Sequence, residues 1–178
     1  YYFSTVDKEY CDRRNTKLLK VLAPFILPNY DYYFWHDAHC ELVVDPDSMI
    51  NTFLTDAEFA VFKHPYRNCA YDEANVVVQA QKENGNLANE TIHFLQSVNF
   101  PKNIGLFELT SFAYKNTHRV RTSLLMWWEL ICKYSSRDQI TFPYVIAKNE
   151  VPISIMPGNA LAYGGNNKYF PQTKELYS

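Results

Sequence analysis

The fold is decided at residues 32–39, which read Tyr-Tyr-Phe-Trp-His-Asp-Ala-His. Four consecutive large side chains predict a strand covered on both faces, as in the interior of a parallel sheet with helices on either side. The polar residues His36 and Asp37 follow immediately, so we expect them at the carboxyl end of that strand. Open α/β sheets bind their ligands at this position. The stretch therefore predicts an α/β fold and a first candidate site.

Strand and helix patterns alternate on both sides of this stretch. Apolar residues at helical spacing predict a helix over residues 13–25, with Lys17 and Lys20 on its other, polar side. The further predicted elements are a helix at 46–54, a strand at 59–62, helices at 71–81 and 89–100, a strand at 106–112 and a long helix across 120–131. This interleaving, without an internal repeat or a linker, predicts one domain over residues 1–178.

Composition excludes several classes of protein. Hydrophobic residues make up 47% of the 178 residues and charged residues 20%, which is typical of a globular chain and not of a disordered one. The net charge of −2 argues against a protein that mainly binds nucleic acid. Aromatic residues reach 16%, and two interpretations stay open: rings that stack on sugars or bases, or an aromatic core.

The distribution of cysteines and apolar residues predicts a cytoplasmic domain. No apolar stretch approaches the ~20 residues that a membrane-spanning helix needs, so we expect no transmembrane segment in this chain. The four cysteines stand far apart and lack the spacing of a structural zinc site, as in a reduced cytosolic protein.

Asp37 and His39 form a candidate metal site. Side chains two residues apart in an extended segment project to the same side, so both would reach one cation. A carboxylate with an imidazole suits Mn²⁺, or Mg²⁺ in its place, better than Ca²⁺. The alternative is an aspartate that caps the turn after the strand, beside an unrelated histidine.

A second group of polar residues follows the strand predicted at 59–62. If both strands are parallel, Lys63, His64 and Arg67 lie on the same edge of the sheet as Asp37. Their cationic and imidazole groups would then face a diphosphate. The alternative is a pair of solvated cations flanking a turn.

Two helix starts contain carboxylates that allow more than one interpretation. Asp72 and Glu73 begin a predicted helix, where they would act either as paired site carboxylates or as capping residues. Asp138 follows Ser136 at another helix start, and capping by either residue explains much of that pattern. Position alone does not separate the two interpretations.

Several short motifs occur in an order that resembles a known family. They are Arg13-Arg14-Asn15 with Lys17, residues 27–32, residues 35–37, residues 62–67, residues 71–74, residues 103–106 and residues 136–139. Across residues 12–144 the chain resembles the glycosyltransferase-like domain family of bacteria and plants, which is distantly similar to the retaining GT-A transferases that use sugar nucleotides. The shared order is more specific than any single motif.

The resemblance implies a fold and a set of site residues. The fold would be an α/β, GT-A-like three-layer sandwich around a mixed, mainly parallel central sheet. Asp37 would occupy the first position of a metal-binding Asp-x-Asp segment, with His39 at the third. Asp138 would match a late Asp-Gln pair beside the reacting sugar, and Glu108 an acceptor-side polar residue. The candidate donor-binding residues, from the motifs and from the sheet edge together, are Arg13, Arg14, Asn15, Lys17, Lys63, His64, Arg67, Asp72, Glu73 and Gln139.

The function implied by the resemblance is transfer of a sugar from a nucleotide-sugar donor to a glycan acceptor. Cations at the edge of the sheet would stabilise the leaving nucleoside diphosphate. Asp138 or Glu108 would stabilise positive charge on the sugar ring or deprotonate the acceptor. Two alternatives stay open: a non-catalytic carbohydrate- or nucleotide-binding domain with the same fold, and a sugar-nucleotide nucleotidyltransferase. The latter should carry a Gly-rich phosphate loop near its start, which the sequence lacks.

The beginning of the chain departs from the family pattern. Family members usually carry an additional amino-terminal strand and helix that help to hold the nucleotide base. Residues 1–5 look instead like a later strand, so we expect that unit to be missing and the base pocket to be incomplete.

Overall fold

The computed structural model describes residues 8–158 and Tyr169, with side chains from Arg13 onward. Helices and strands alternate along this part of the chain. They are α1 Lys8–Ile26, β1 Tyr32–His36, α2 Pro46–Phe53, β2 Phe59–Lys63, α3 Ala70–Gln79, α4 Gly85–Ser97, β3 Phe107–Lys115, α5 His118–Lys133, α6 Asp138–Lys148 and β4 Ile153–Met156. The predicted succession of elements is confirmed from α1 to α5, whereas β4 was not predicted. The strand expected at residues 1–5 lies outside them.

The four described strands form one mixed sheet in the order β1-β3-β2-β4. Both β1 and β2 run antiparallel to β3, while β4 runs parallel to β2. The prediction of a mainly parallel sheet is therefore wrong for the described part, because the nine-residue β3 lies between β1 and β2 and runs the other way. The coarser prediction, a mixed sheet with helices, is confirmed.

Strand β1 lies at one edge of the sheet that the described strands form, so its predicted interior position is not found among them. Its large side chains have other partners. Tyr33 stacks on Tyr114 of β3 with ring centroids 5.3 Å apart, and the ammonium group of Lys20 in α1 lies 5.8 Å from the ring of Trp35. Tyr32 and Phe34 pack on the opposite face, against the cluster that contains Met49 and Phe53 of α2, so the run is covered on both faces as predicted.

Helices cover both faces of the sheet. Successive residues of β2 alternate between them: Phe59 and Val61 pack with α1, α5 and α6, whereas Ala60 and Phe62 pack on the α2 side. A further cluster joins α3 and α4 to α6. No helix of the described residues is long and apolar enough to cross a membrane.

The aromatic residues mainly build the core on the α5 side. On that side five are essentially inaccessible to solvent: Phe59, Phe112, Tyr114, Trp127 and Phe142. Their rings contact one another, with the closest pair, Trp127 and Phe142, at a centroid distance of 4.8 Å. The core interpretation of the high aromatic content therefore holds for these rings.

The topology still brings the carboxyl ends of β1 and β2 to the same edge of the sheet, because both strands oppose β3. They are staggered along it: His36 pairs with Ser111, and Lys63 pairs with Phe107. Four residues of stagger correspond to about 13 Å along the strand, and the intervening β3 adds about 10 Å across the sheet. The two strand ends therefore share a direction but are well separated.

Candidate functional site

Asp37 begins a tight turn directly after β1. Its backbone N–H donates to the Thr110 carbonyl at 2.8 Å, and its own carbonyl accepts from the Cys40 N–H at 2.9 Å. The Trp35 indole donates to the Asp37 carboxylate at 3.0 Å. The expectation of an extended Asp37-x-His39 segment is wrong, because the backbone turns here. The two side chains are therefore not placed on the same side by the geometry of a strand.

The described residues do not by themselves provide all the ligands of a metal site. No group of three or more His, Cys, Asp or Glu side chains that could hold an ion occurs among them. Mn²⁺ and Mg²⁺ prefer about six ligands, so Asp37 and His39 would leave most positions to other molecules. Metal binding at these two residues stays a prediction.

Asp138 is the centre of a buried charge cluster. The first residue of α6, it has a side chain that is only 5% exposed. The ammonium group of Lys20 lies 2.6 Å from its carboxylate, and that of Lys17 lies 3.3 Å away. Both lysines come from α1, where residues three apart share a face. The prediction that Lys20 lies on the outer, polar side of its helix is wrong: that face is turned toward the carboxylate.

The two lysines keep Asp138 ionised. Burial alone would raise the pKa of this carboxyl, but Lys17 and Lys20 together hold the pKa well below its ordinary value. Burial lowers the pKa of Lys20, an effect that Asp138 opposes. A carboxylate with a depressed pKa is a stable negative charge and a poor proton acceptor.

Glu108 and Asp37 extend this cluster. Glu108 is fully buried in β3; one of its carboxylate oxygens accepts from the Thr110 N–H at 2.9 Å, and the other has no hydrogen-bond partner among the described residues. Burial raises the pKa of Glu108, with Asp37 adding to the rise and Lys20 opposing it. Three of the acidic residues singled out from the sequence, Asp37, Glu108 and Asp138, therefore interact electrostatically with Lys20.

The loop before α6 is fixed by a residue that the sequence did not reveal. The carboxylate of Glu83 is buried and accepts hydrogen bonds from the Ser136 N–H at 3.0 Å and from the hydroxyls of Ser135 and Ser136. Arg137 occupies the N-cap position of α6 and makes no capping bond with its side chain. Neither Ser136 nor Asp138 therefore acts as the helix cap that the alternative interpretation proposed. Ser136 binds Glu83, and the Asp138 carboxylate binds the lysines.

A second polar cluster follows β2. The Nδ1 atom of His64 accepts from the backbone N–H groups of Tyr66 and Arg67, at 3.3 and 3.2 Å. Arg67 donates to the Glu73 carboxylate at 2.6 Å. Burial lowers the pKa of His64, against the effect of Glu73. Arg67 and Glu73, both predicted to bind a donor, are therefore paired with each other.

Three depressions surround these clusters. The Lys17 recess, about 460 Å³, is lined by Thr16, Lys17, Trp35, His36, Asp37 and Ala38. The Lys63 recess, about 420 Å³, is lined by Lys63, His64, Arg67, Asn68, residues 103–107, Ile153 and Ile155. The Arg137 cavity, about 120 Å³, is lined by His64, Arg67, Glu73, Val76, Val77, Ala80, Lys82, Arg137 and Gln139. Among the described residues, Asp37 and His64 therefore line separate depressions, in keeping with the stagger of the two strands.

The remaining predicted donor-binding residues have diverse surroundings. Arg14 donates to the Ile131 and Tyr134 carbonyls at 3.0 and 3.2 Å and so fastens α1 to the end of α5. Arg13 donates to the Lys82 carbonyl at 2.7 Å, at the rim of the Arg137 cavity. Asn15 and Asp72 are exposed.

Comparison with known proteins agrees with the motif order. Residues 5–157 match the family model described as TOD1/MUCI70, glycosyltransferase-like domain. A curated relative, the "Probable hexosyltransferase MUCI70" of Arabidopsis thaliana, is 32% identical over 75% of this chain. The matched region is 25% of that relative, so the chain spans about a quarter of its length. No solved structure shows a significant match. The resemblance inferred from the sequence is confirmed, and the chain belongs to the TOD1/MUCI70 glycosyltransferase-like domain family.

Proposed function

We propose that this domain transfers a hexose from a nucleotide-sugar donor to a glycan acceptor, with the Asp138 carboxylate at the reaction centre. Family membership and the name of the plant relative support the reaction class. The observation that carries the assignment is the ionised, buried Asp138 beneath Lys17, a residue that also lines an open recess. Such a charge placed beside an accessible depression is typical of functional sites.

A fixed carboxylate suits the electronic demand of glycosyl transfer. As the bond between the anomeric carbon and the phosphate oxygen breaks, the diphosphate takes the electron pair and the sugar ring gains positive charge. The acceptor oxygen then bonds to the anomeric carbon, and its proton passes to the departing diphosphate. Asp138 would stabilise the ring charge without itself taking up the proton, in keeping with its depressed pKa.

Lys17 and Lys20 have different parts in this proposal. Lys20 is 3% exposed and lies at 2.6 Å from Asp138, whereas Lys17 is 20% exposed and lies at 3.3 Å. Lys17 is therefore the ammonium group that can turn toward a donor, which would uncover the carboxylate. Lys20 remains as the permanent partner that keeps Asp138 charged after the movement.

Glu108 acts in this proposal as a positioning residue. Its side chain is fully buried and lines none of the three depressions. It binds the N–H of Thr110, whose carbonyl in turn accepts from the N–H of Asp37. Glu108 would therefore hold the part of β3 that orients the wall of the Lys17 recess.

The non-catalytic alternative is favoured by one specific observation. Asp138 is 4% exposed and already has two ammonium partners, so its charge is compensated without any ligand. A domain that only binds a sugar or a nucleotide would need no more than this structural ion pair. Such a domain would bind nucleotide sugars and leave them intact.

The two functions are separated by incubating the full chain with a panel of UDP- and GDP-hexoses and a glycan acceptor, with and without Mn²⁺. Release of nucleoside diphosphate together with a glycosylated acceptor supports transfer. Saturable binding of a nucleotide sugar without release supports the alternative. Release of nucleoside diphosphate at the rate of the protein-free control, with no binding, would contradict both.

A further inference from the structure

The Arg137 cavity contains more positive than negative charge. Its charged lining groups are Arg67, Glu73, Lys82 and Arg137. The charges of Arg67 and Glu73 neutralise each other in a salt bridge, in which the Arg67 Nε atom lies 2.6 Å from the Glu73 carboxylate. The His64 ring adds no charge near neutral pH, because burial lowers its pKa. Lys82 and Arg137 remain as two cations that form no salt bridge with a described carboxylate.

Arg137 supplies a donor that is unused in the described structure. Its Nε atom is buried and makes no hydrogen bond with any described residue. A buried N–H of a charged group is costly to leave unpaired, so this atom is available to an acceptor from outside the chain. Arg13 donates to the Lys82 carbonyl and so places another guanidinium group near the cavity.

The size of the cavity limits what it can hold. Its volume of about 120 Å³ is roughly four times the ~30 Å³ that one water occupies in the liquid. A tetrahedral oxyanion of five heavy atoms fits this space. Two cations with several N–H donors are the groups that recognise phosphate oxygens.

We propose that the Arg137 cavity binds a phosphate group through Arg137 and Lys82, with the Gln139 amide as a further donor. This inference deepens the proposed function and rests on it in one respect: the phosphate is assigned to the sugar-bearing phosphate of the donor's diphosphate. The placement supports that assignment, because Asp138 lies between Arg137 and Gln139 in the chain. The leaving group and the stabilising carboxylate would then be held by consecutive residues of α6.

Binding of inorganic phosphate, UDP, GDP and uridine to the full chain tests the proposal by calorimetry. The variants are Arg137→Gln and Lys82→Met, with Lys148→Met at the far, exposed end of α6 as the matched control. We expect UDP or GDP to bind, uridine to bind at least tenfold more weakly, and each of the two variants to lose tenfold or more in diphosphate affinity. Lys148→Met should bind like the unmodified protein.

Competition identifies the source of the phosphate. Displacement of the bound diphosphate by inorganic phosphate supports the assignment to the donor, and simultaneous binding of both overturns it. Unchanged affinities in a folded Lys82→Met protein overturn the site itself, and this exposed residue is not needed for folding. If phosphate binding depends on Arg137 and Lys82 but no nucleotide sugar is ever turned over, the site stands and the proposed transferase function fails.

Discussion

Lys20 and Asp138 form a salt bridge of 2.6 Å between α1 and α6, with side chains 3% and 5% exposed. Burying two charges is costly, and the contact returns that cost only while both partners are present. The pair therefore ties the first described helix to the last and fixes where the carboxylate stands. Its consequences are measurable in stability, in pH dependence and in activity.

Removing Lys20 should destabilise the fold strongly. Lys20→Met leaves Asp138 buried with only the more exposed Lys17, and loss of one partner of a buried pair costs about 3–5 kcal/mol. Lys17→Met should cost about 1 kcal/mol or less, since that ion pair is partly solvated. Urea unfolding of the two variants measures the difference, and equal losses would contradict the distinction between a fixed and an exchangeable lysine.

The same pair predicts a specific acid sensitivity. The folded-state pKa of Asp138 lies below its ordinary value of 3.8, so its contribution to stability is complete above that value. The contribution is lost as the pH falls below about 3.8 toward the folded-state pKa. Asp138→Asn should therefore flatten the fall of the free energy of unfolding over this acid range. Parallel profiles for the variant and the unmodified protein would show that the carboxylate is not held ionised by the lysines.

Glu83 should be essential for the loop that begins α6. Glu83→Ala removes the acceptor for the Ser135 and Ser136 groups and leaves buried donors unpaired, at a cost of about 3 kcal/mol or more. Glu90→Ala, an exposed carboxylate on the neighbouring α4, provides the control and should change stability by less than about 0.5 kcal/mol. Thermal unfolding compares them; similar melting temperatures would remove Glu83 from this role.

The metal prediction is tested with Asp37→Asn. The amide oxygen can still accept from the Trp35 indole, so we expect little change in stability. If Asp37 ligates Mn²⁺ during turnover, the Mn²⁺ concentration that gives the half-maximal rate should be about tenfold or more higher for the variant. An unchanged requirement for Mn²⁺ in a folded Asp37→Asn protein would restrict Asp37 to shaping the turn.

The sequence predicted the helices, the strands and the polar residues at the carboxyl ends of the strands better than it predicted which strands pair. The apolar run of β2 and the polar residues after it are where the pattern indicates, because strand formation and its end depend on neighbouring residues. The position of β1 depends on β3, which is remote in the chain, and no local pattern reports that β3 lies between β1 and β2. The sequence therefore predicts parallel pairing, whereas β1 and β2 both pair antiparallel with β3.

Buried polar partners were the other part that local patterns missed. Lys20 and Glu83 look like solvated charges in the sequence, since nothing near them shows the group that each one binds. The one available signal for Lys20 was its spacing of three from Lys17, which turns two ammonium groups to one face of α1. Arg137 and Lys82 come together only because α6 begins beside the end of α3.

The most direct test of the central claim is the turnover of Asp138→Asn under conditions where it is folded, beside Asp56→Asn, an exposed control outside the site. The amide keeps the shape of the side chain and removes only its charge. We expect the rate of hexose transfer to fall by about 10²–10³-fold, the scale of losing one preorganised electrostatic group, with the control unchanged. Transfer by a folded Asp138→Asn protein at the unmodified rate would contradict the placement of this carboxylate at the reaction centre.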